Sequence, residues 1–172
     1  MKTISIRITD HRTGEDRSIT VSQPGATLEL HADQVVSTIE QAATGRYIDN
    51  GDGTVTDTTT GLMWSRDNFG DGELNHEAAG KACAALRLAG HADWRLPTRA
   101  ELLTLVDDTR HDPCIDTAAF PSCRSSWYWT ATPAAWSASA AWLVYFSYGG
   151  AYGSRRSSSA FVRAVRAAPA GQ

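Results

Sequence analysis

No apolar run in the chain approaches the roughly 18 residues that cross a bilayer, which excludes a membrane-spanning helix. The amino terminus, Met1 to Asp10, alternates polar and apolar residues and lacks the continuous apolar core of a secretory signal. Positive charge is not in excess: 16 Lys and Arg stand against 19 Asp and Glu, a net charge of -3. Broad phosphate-backbone binding needs Lys and Arg to neutralise phosphates, so no nucleic-acid partner is expected, and Arg155-Arg156 is too small a cluster to reverse that. There is no Cys-x-x-Cys pair for a zinc ribbon or a thioredoxin-like site. A Gly-x-Ser-x-Gly elbow, a phosphate loop, a dinucleotide fingerprint and a repeat of solenoid period are also missing.

What remains is ordinary globular material. At 172 residues, with 42% hydrophobic and 20% charged residues, the chain suits one domain with an appendage. Residues 1–45 form the appendage. Thr3 to Ile8 and Arg17 to Val21 are β-patterned, Thr27 to Leu30 follows, and Asp33 to Ala43 reads as a short helix. This is a small β-rich arm or oligomerisation module, through which a homo-oligomer would form. Residues 46–167 are the main domain.

The main domain opens with tight hairpins. Tyr47-Ile48 and Thr54 to Thr56 flank Asp49-Asn50-Gly51-Asp52-Gly53, whose Asn-Gly and Asp-Gly pairs supply the positive φ that hairpins require. A calcium loop would need oxygen ligands at alternate positions, where this stretch has Gly51 and Gly53. A turn at Thr58 to Gly61 leads into Leu62-Met63-Trp64. Asn75 caps a helix running to Leu86 or Leu88, with Ala78, Ala79, Ala82, Cys83 and Leu86 on its inner face and Gly90 ending it. Thr98-Arg99-Ala100-Glu101 is a capping box for a second helix, carried by Leu102, Leu103, Leu105 and Val106. The remainder is β-rich, with strands expected at Trp127 to Thr130, Ala141 to Phe146 and Phe161 to Arg166.

The titratable residues do not assemble into a catalytic pattern. His11, His31, His76, His91 and His111 lack metal-ligand spacing, and Asp107-Asp108 reads as a solvated helix end. Cys83 reads as a buried structural thiol, while Cys114 and Cys123 bracket a loop and would close only in an oxidising compartment. No enzyme activity, cofactor or metal is expected.

Ser147 to Ala160 differs in character from its surroundings. It has almost no aliphatic residue to bury and therefore belongs on the surface. Tyr148 and Tyr152 offer broad amphipathic area at low entropy cost, and Ser and Gly adapt their hydrogen bonding, which is the composition of an antibody paratope.

Three ordered blocks carry a family resemblance: Tyr47 to Asp57, Thr60 to Trp64, and Gly90-His91-Ala92-Asp93-Trp94-Arg95-Leu96-Pro97-Thr98-Arg99-Ala100-Glu101-Leu102. Together with Tyr128 to Thr132, Ala141 to Phe146 and Val162 to Arg166, they resemble the Lcl C-terminal domain family, first named in collagen-like adhesins. The resemblance covers everything after Gly45. It implies an α+β, C-type-lectin-like fold with two helices flanking small antiparallel sheets and a long carboxy-terminal loop region that displays the binding surface. The family includes target proteins of diversity-generating retroelements, in which adenine-specific mutagenesis randomises chosen codons. Every residue from Ser147 to Phe161 belongs to the set that such mutagenesis of Asn codons yields. Arg95 to Glu101 also looks like a helix-opening segment of formylglycine-generating enzymes, whose chemistry resides in a cysteine pair elsewhere, so that activity does not transfer. Calcium-dependent sugar binding needs Glu-Pro-Asn or Gln-Pro-Asp together with Trp-Asn-Asp, which are missing.

The expected ligand-contacting residues are Ser147, Tyr148, Gly150, Tyr152, Ser154, Arg155, Arg156, Ser157 and Ser159, with Ala134, Ala135, Trp136 and Ser137 from the preceding loop beside them. The expected partner is a protein. The alternative is an adhesin-like glycan or glycosaminoglycan site using Arg155, Arg156 and stacking surfaces on Trp127 and Trp136. A cytoplasmic protein or a phage virion component is the expected setting.

Overall fold

A computed structural model describes residues 2–9, 16–23, 45–68 and 72–168. The chain divides into two compact units, Met1–Ala43 and Thr44–Gln172. In the first, β1 (Lys2–Thr9) and β2 (Asp16–Gln23) form an antiparallel hairpin whose register sets Ile4 opposite Val21 and Ile6 opposite Ile19. The segments expected at Thr27 to Leu30 and Asp33 to Ala43 lie outside the described residues.

The second unit is α+β, with small antiparallel sheets and, among the described residues, two helices. β3 (Tyr47–Asp49), β4 (Thr54–Asp57) and β5 (Leu62–Ser65) form a meander, and the carboxy-terminal strand β11 (Val165–Ala167) returns to pair with β5. The first turn works as its sequence suggests. Gly51 and Gly53 adopt φ of +75° and +86°, and the Asp49 and Asp52 carboxylates accept the Gly51 and Thr54 N–H groups.

β6 (Leu74–Asn75) leads directly into α1 (His76–Ala85), where the Asn75 side chain accepts the Ala78 N–H at 2.9 Å. Ala79 and Cys83 are the residues this helix buries. It stops short of the expected end because Leu86 turns to an extended conformation and Leu88 bridges His91 across the Gly90 turn.

α2 (Arg99–Leu103) opens on the full capping box: Thr98 Oγ1 accepts the Glu101 N–H at 3.2 Å and Glu101 Oε2 accepts the Thr98 N–H at 2.7 Å. Arg95 donates to both Glu101 oxygens at 2.6 and 2.8 Å, and this hydrogen-bonded guanidinium is the main reason the carboxyl titrates at about 2 rather than 4.5. A depressed folded-state pKa stabilises the protein above the unfolded value and loses that contribution as pH falls through the folded one. Melting temperature should therefore fall between about pH 4.5 and pH 2 through this group, and Glu101→Gln should flatten that part of the profile while lowering stability at pH 7.

The third sheet orders β7 (Trp127–Pro133), β8 (Ala140–Tyr145) and β9 (Gly150–Arg155). Its two faces meet two separate cores. Tyr128, Val144 and Phe146 join Trp64, Leu102, Ile115 and Phe120 on one side, and Trp129, Ala141 and Leu143 join Met63, Cys83, Trp94 and Val162 on the other. The expected strand at Phe161 to Arg166 is broken: β10 (Ser159–Ala160) pairs with β6, Phe161 makes a single bridge to Tyr128, and β11 begins only at Val165, which also bridges Arg95.

Candidate functional site

β9 was not expected as a strand, since Gly, Ala and Ser rarely favour one. Its partner decides the matter: β8 pairs with it residue for residue from Ala140↔Arg155 to Tyr145↔Gly150. The surface-loop expectation for Ser147 to Ala160 is corrected to a turn, an outer strand and a second turn that ends in β10. The first turn is pinned from below. Ser147 donates to Asp112 Oδ1, the Asp112 N–H reaches the Ser147 carbonyl at 3.0 Å, and the Cys114 N–H reaches the Phe146 carbonyl at 2.7 Å. Gly149 completes this turn at φ +82°, with Val106 so close that a Cβ would lie 2.6 Å from Cγ1.

Residues directly opposite in an antiparallel ladder share a face, so the register divides the nominated side chains. One face carries Trp127, Tyr145, Gly150 and Tyr152. Trp127 stacks on Tyr145 with centroids 4.2 Å apart, Tyr152 meets Trp127 edge-on at 5.1 Å, and Tyr148 meets Tyr145 edge-on at 4.9 Å. The Tyr148 and Tyr152 hydroxyls close the set at 3.2 Å, and this hydrogen bond is the main cause of the raised Tyr148 pKa. Gly150 lies under both rings, where a Cβ would approach Tyr152 Cε2 at 2.6 Å. The opposite face carries Trp142, Gly153 and Arg155. Trp136 packs edge-on against Trp142 at 5.2 Å and covers Gly153, where a Cβ would fall 2.2 Å from its ring. The Arg99 guanidinium sits 4.1 Å from the Trp142 ring centroid.

Three large hydrophobic side chains are exposed among the described residues: Trp136 at 63%, Tyr148 at 60% and Tyr152 at 44%. All three were nominated from the sequence, and so were the exposed Ala135, Arg155, Ser157 and Ser159. Ala134 is corrected: at 4% exposure its methyl group packs inward, and its N–H closes the β7–β8 turn on the Ala140 carbonyl. Ser137, Ser147, Gly150, Ser154 and Arg156 are half-buried. Arg156 is held by its backbone, which bonds Ser139 and His76, and Ser154 bonds Ser158. Tyr145 and Arg99 were not nominated. The alternation along Ala140 to Tyr145 is the signal that would have paired Tyr145 with Trp127.

No ion pair reaches Arg99, Arg155 or Arg156 among the described residues, so this end of the sheet presents unneutralised positive charge. A separate cleft of about 530 Å³, lined by Arg46, Tyr47, Asp49, Val106, Asp107, Asp108 and Asp116, contains none of the nominated residues. The three cysteines are free and buried, and burial pushes the Cys83 thiol up to about 12. Among the described residues no group of three or more His, Cys, Asp or Glu is arranged to hold a metal ion, and no helix is long and apolar enough to cross a membrane.

A model of the Lcl C-terminal domain matches residues 53–166 of the chain. No curated protein matches it.

Proposed function

The chain belongs to the Lcl C-terminal domain family, and from that premise we propose that it is a non-catalytic binding protein of C-type-lectin-like fold. Its β8–β9 hairpin and the Trp136 loop display a variable surface for protein recognition, in the manner of a diversity-generating retroelement target. The observation that carries this reading is the coincidence already noted: Trp136, Tyr148 and Tyr152, the exposed large hydrophobics of the described residues, all fall on this hairpin and loop. Exposed aromatics of this kind supply hot spots in interfaces. The scaffold beneath is tied by Phe146, Asp112 and the β8 ladder, so side chains can change above it without disturbing the core.

The geometry also narrows the set that can vary. Gly149 is fixed by its positive φ and by Val106 beneath it, Gly150 and Gly153 are restricted only while the rings of Tyr148, Tyr152 and Trp136 lie over them, and Ala160 is fully buried. Tyr148, Tyr152, Arg155, Ser157 and Ser159 are exposed.

Replacing those five together with another set drawn from Ser, Tyr, Gly, Ala and Arg should abolish binding of a ligand isolated against the native chain. The melting temperature should move by no more than about 5 to 10 °C, because surface substitutions each change stability by roughly 0.5 kcal/mol or less, and five of them by about 2.5 kcal/mol at most. Collapse of folding, or undiminished binding, would overturn the reading.

The second reading, an adhesin-like glycan site, draws on Arg155 and Arg156, which form no ion pair among the described residues, and on the exposed Trp136. An anionic glycan would lose affinity steeply as salt shortens the Debye length, whereas a ligand held by aromatic contacts would not.

A further inference from the structure

The two outer edges of the β7–β8–β9 sheet are treated differently. On the β7 side, the Trp129 N–H bonds the Phe161 carbonyl at 3.0 Å, the Phe161 N–H bonds the Trp127 carbonyl at 2.9 Å, and the Ala131 N–H bonds the Pro97 carbonyl at 2.7 Å. That edge is closed. On the β9 side, β8 is the sole paired strand among the described residues.

Which backbone groups face outward follows from the ladder. The Phe146 N–H bonds Ser126 on the β7 side, and the Arg156 N–H bonds Ser139 on the β8 side. Since direction alternates along a strand, Gly150, Tyr152 and Ser154 turn their N–H and C=O groups to β8, and Ala151, Gly153 and Arg155 turn theirs outward. The Arg155 carbonyl takes the Ser158 N–H, which leaves the Ala151 and Gly153 pairs and the Arg155 N–H. Natural edges are usually guarded by proline, charged side chains or a bulge, and Gly-Ala-Tyr-Gly-Ser-Arg has no proline and carries its one charge, Arg155, at its last position. Ala151 and Gly153 are also the residue types that let another backbone approach closely.

We propose that this edge receives an extended segment of the partner protein as a further strand, and that the segment carries a carboxylate side chain. The carboxylate is argued from charge: Arg155 lies on the face where Arg99 sits over Trp142, and neither guanidinium has an ion pair among the described residues. Main-chain bonds would supply affinity, and the flanking Tyr152 and Arg155 would read alternate side chains on opposite faces of the added strand. The inference rests on the preceding reading of this hairpin as the ligand surface and specifies how a ligand engages it.

The test uses the full chain and decapeptides selected against it from a random library. Selected peptides should carry Asp or Glu. N-methylation at alternate residues, and not at the intervening ones, should weaken binding about tenfold. Amide exchange at Ala151 and Gly153 should slow in the complex. Ala151→Pro, which removes an outward N–H and spares the β8 ladder, should weaken binding to the same degree. Failure to select any peptide, tolerance of N-methylation at every position, or dimerisation of the chain through β9 in place of peptide binding would overturn the added strand. A ligand that depends on Tyr148 and Tyr152 while the Ala151 and Gly153 amides exchange as before would sink this inference alone. A ligand indifferent to both tyrosines would sink the surface reading with it.

Discussion

Truncating Trp129 to alanine should destabilise the second unit by about 3–5 kcal/mol, the range for a large aromatic removed from a core. Trp129 is fully buried, its indole N–H donates to the Leu74 carbonyl at 2.7 Å, and His76 meets its ring edge-on at 5.1 Å. The truncation therefore opens a void and also leaves a carbonyl without its donor. It loosens the place where β6, α1 and the end of β9 converge, since the His76 N–H bonds the Arg156 carbonyl and its ring Nε2 lies 2.9 Å from the Thr130 carbonyl. Thermal unfolding should show a drop of roughly 6 to 20 °C. Trp136→Ala is the internal comparison: the same residue type, 63% exposed, should change the melting temperature little and, on the proposed function, weaken ligand binding. Equal losses of stability from the two substitutions would mean that the exposed indole is part of the scaffold and no recognition element.

That contrast was legible in the sequence, which had already nominated Trp136 for the surface, where it is exposed. Local signals were readable because the groups that create them are close in the chain. The Thr98 and Glu101 capping box, the Asn75 cap and the positive φ at Gly51 and Gly53 all follow from a few neighbouring residues. Helix ends were overextended because Leu86 and Leu88 fit the apolar period of a helix. Leu88 instead offers its carbonyl to the Trp94 indole at 3.3 Å and bridges His91. β9 escaped notice for the complementary reason: its composition has little intrinsic preference for a strand, and only the nonlocal pairing with β8 imposes one. Once β9 is a strand, its two-residue alternation splits the nominated site into a tyrosine face and a Trp136–Arg155 face, a division that no loop would impose. Of the glycines in the displayed stretch, Gly149 earns its place through backbone geometry, and Gly150 and Gly153 through the rings that lie over them. From the sequence all three looked like adaptable filler.

Arg163→Met should lower stability by about 2–4 kcal/mol, by the following balance. Arg163 has no exposed surface and, among the described residues, no carboxylate partner. Its Nη1 donates to the Ser65 and Arg66 carbonyls, its Nη2 donates to Asn68 Oδ1 at 3.2 Å, and its guanidinium carbon lies 4.7 Å from the Phe120 ring centroid. Its Nε has no partner among the described residues. Removing a buried charge relieves desolvation, and an apolar side chain of similar length can restore packing, so both effects favour methionine. The acceptors decide the sign against it. The Ser65 and Arg66 carbonyls are backbone groups that no substitution at 163 removes, and a buried acceptor without a donor costs about 1–3 kcal/mol. Arg163→Lys keeps the charge but not the planar fork, so it cannot serve both carbonyls and Asn68 at once and should lie between Met and the native residue. Urea unfolding at unchanged slope is the measurement, with the midpoint ordered Arg above Lys above Met. A methionine variant as stable as the native chain would show that the charge, and not its hydrogen bonds, dominates the site. Because Ala164 exchanges bonds with Ser65 on both sides, through its carbonyl at 2.9 Å and its N–H at 3.0 Å, loss of the Arg163 anchor should loosen β5 and the return into β11 together. The β8–β9 ladder is held by other bonds, so ligand binding by the folded fraction should survive the substitution.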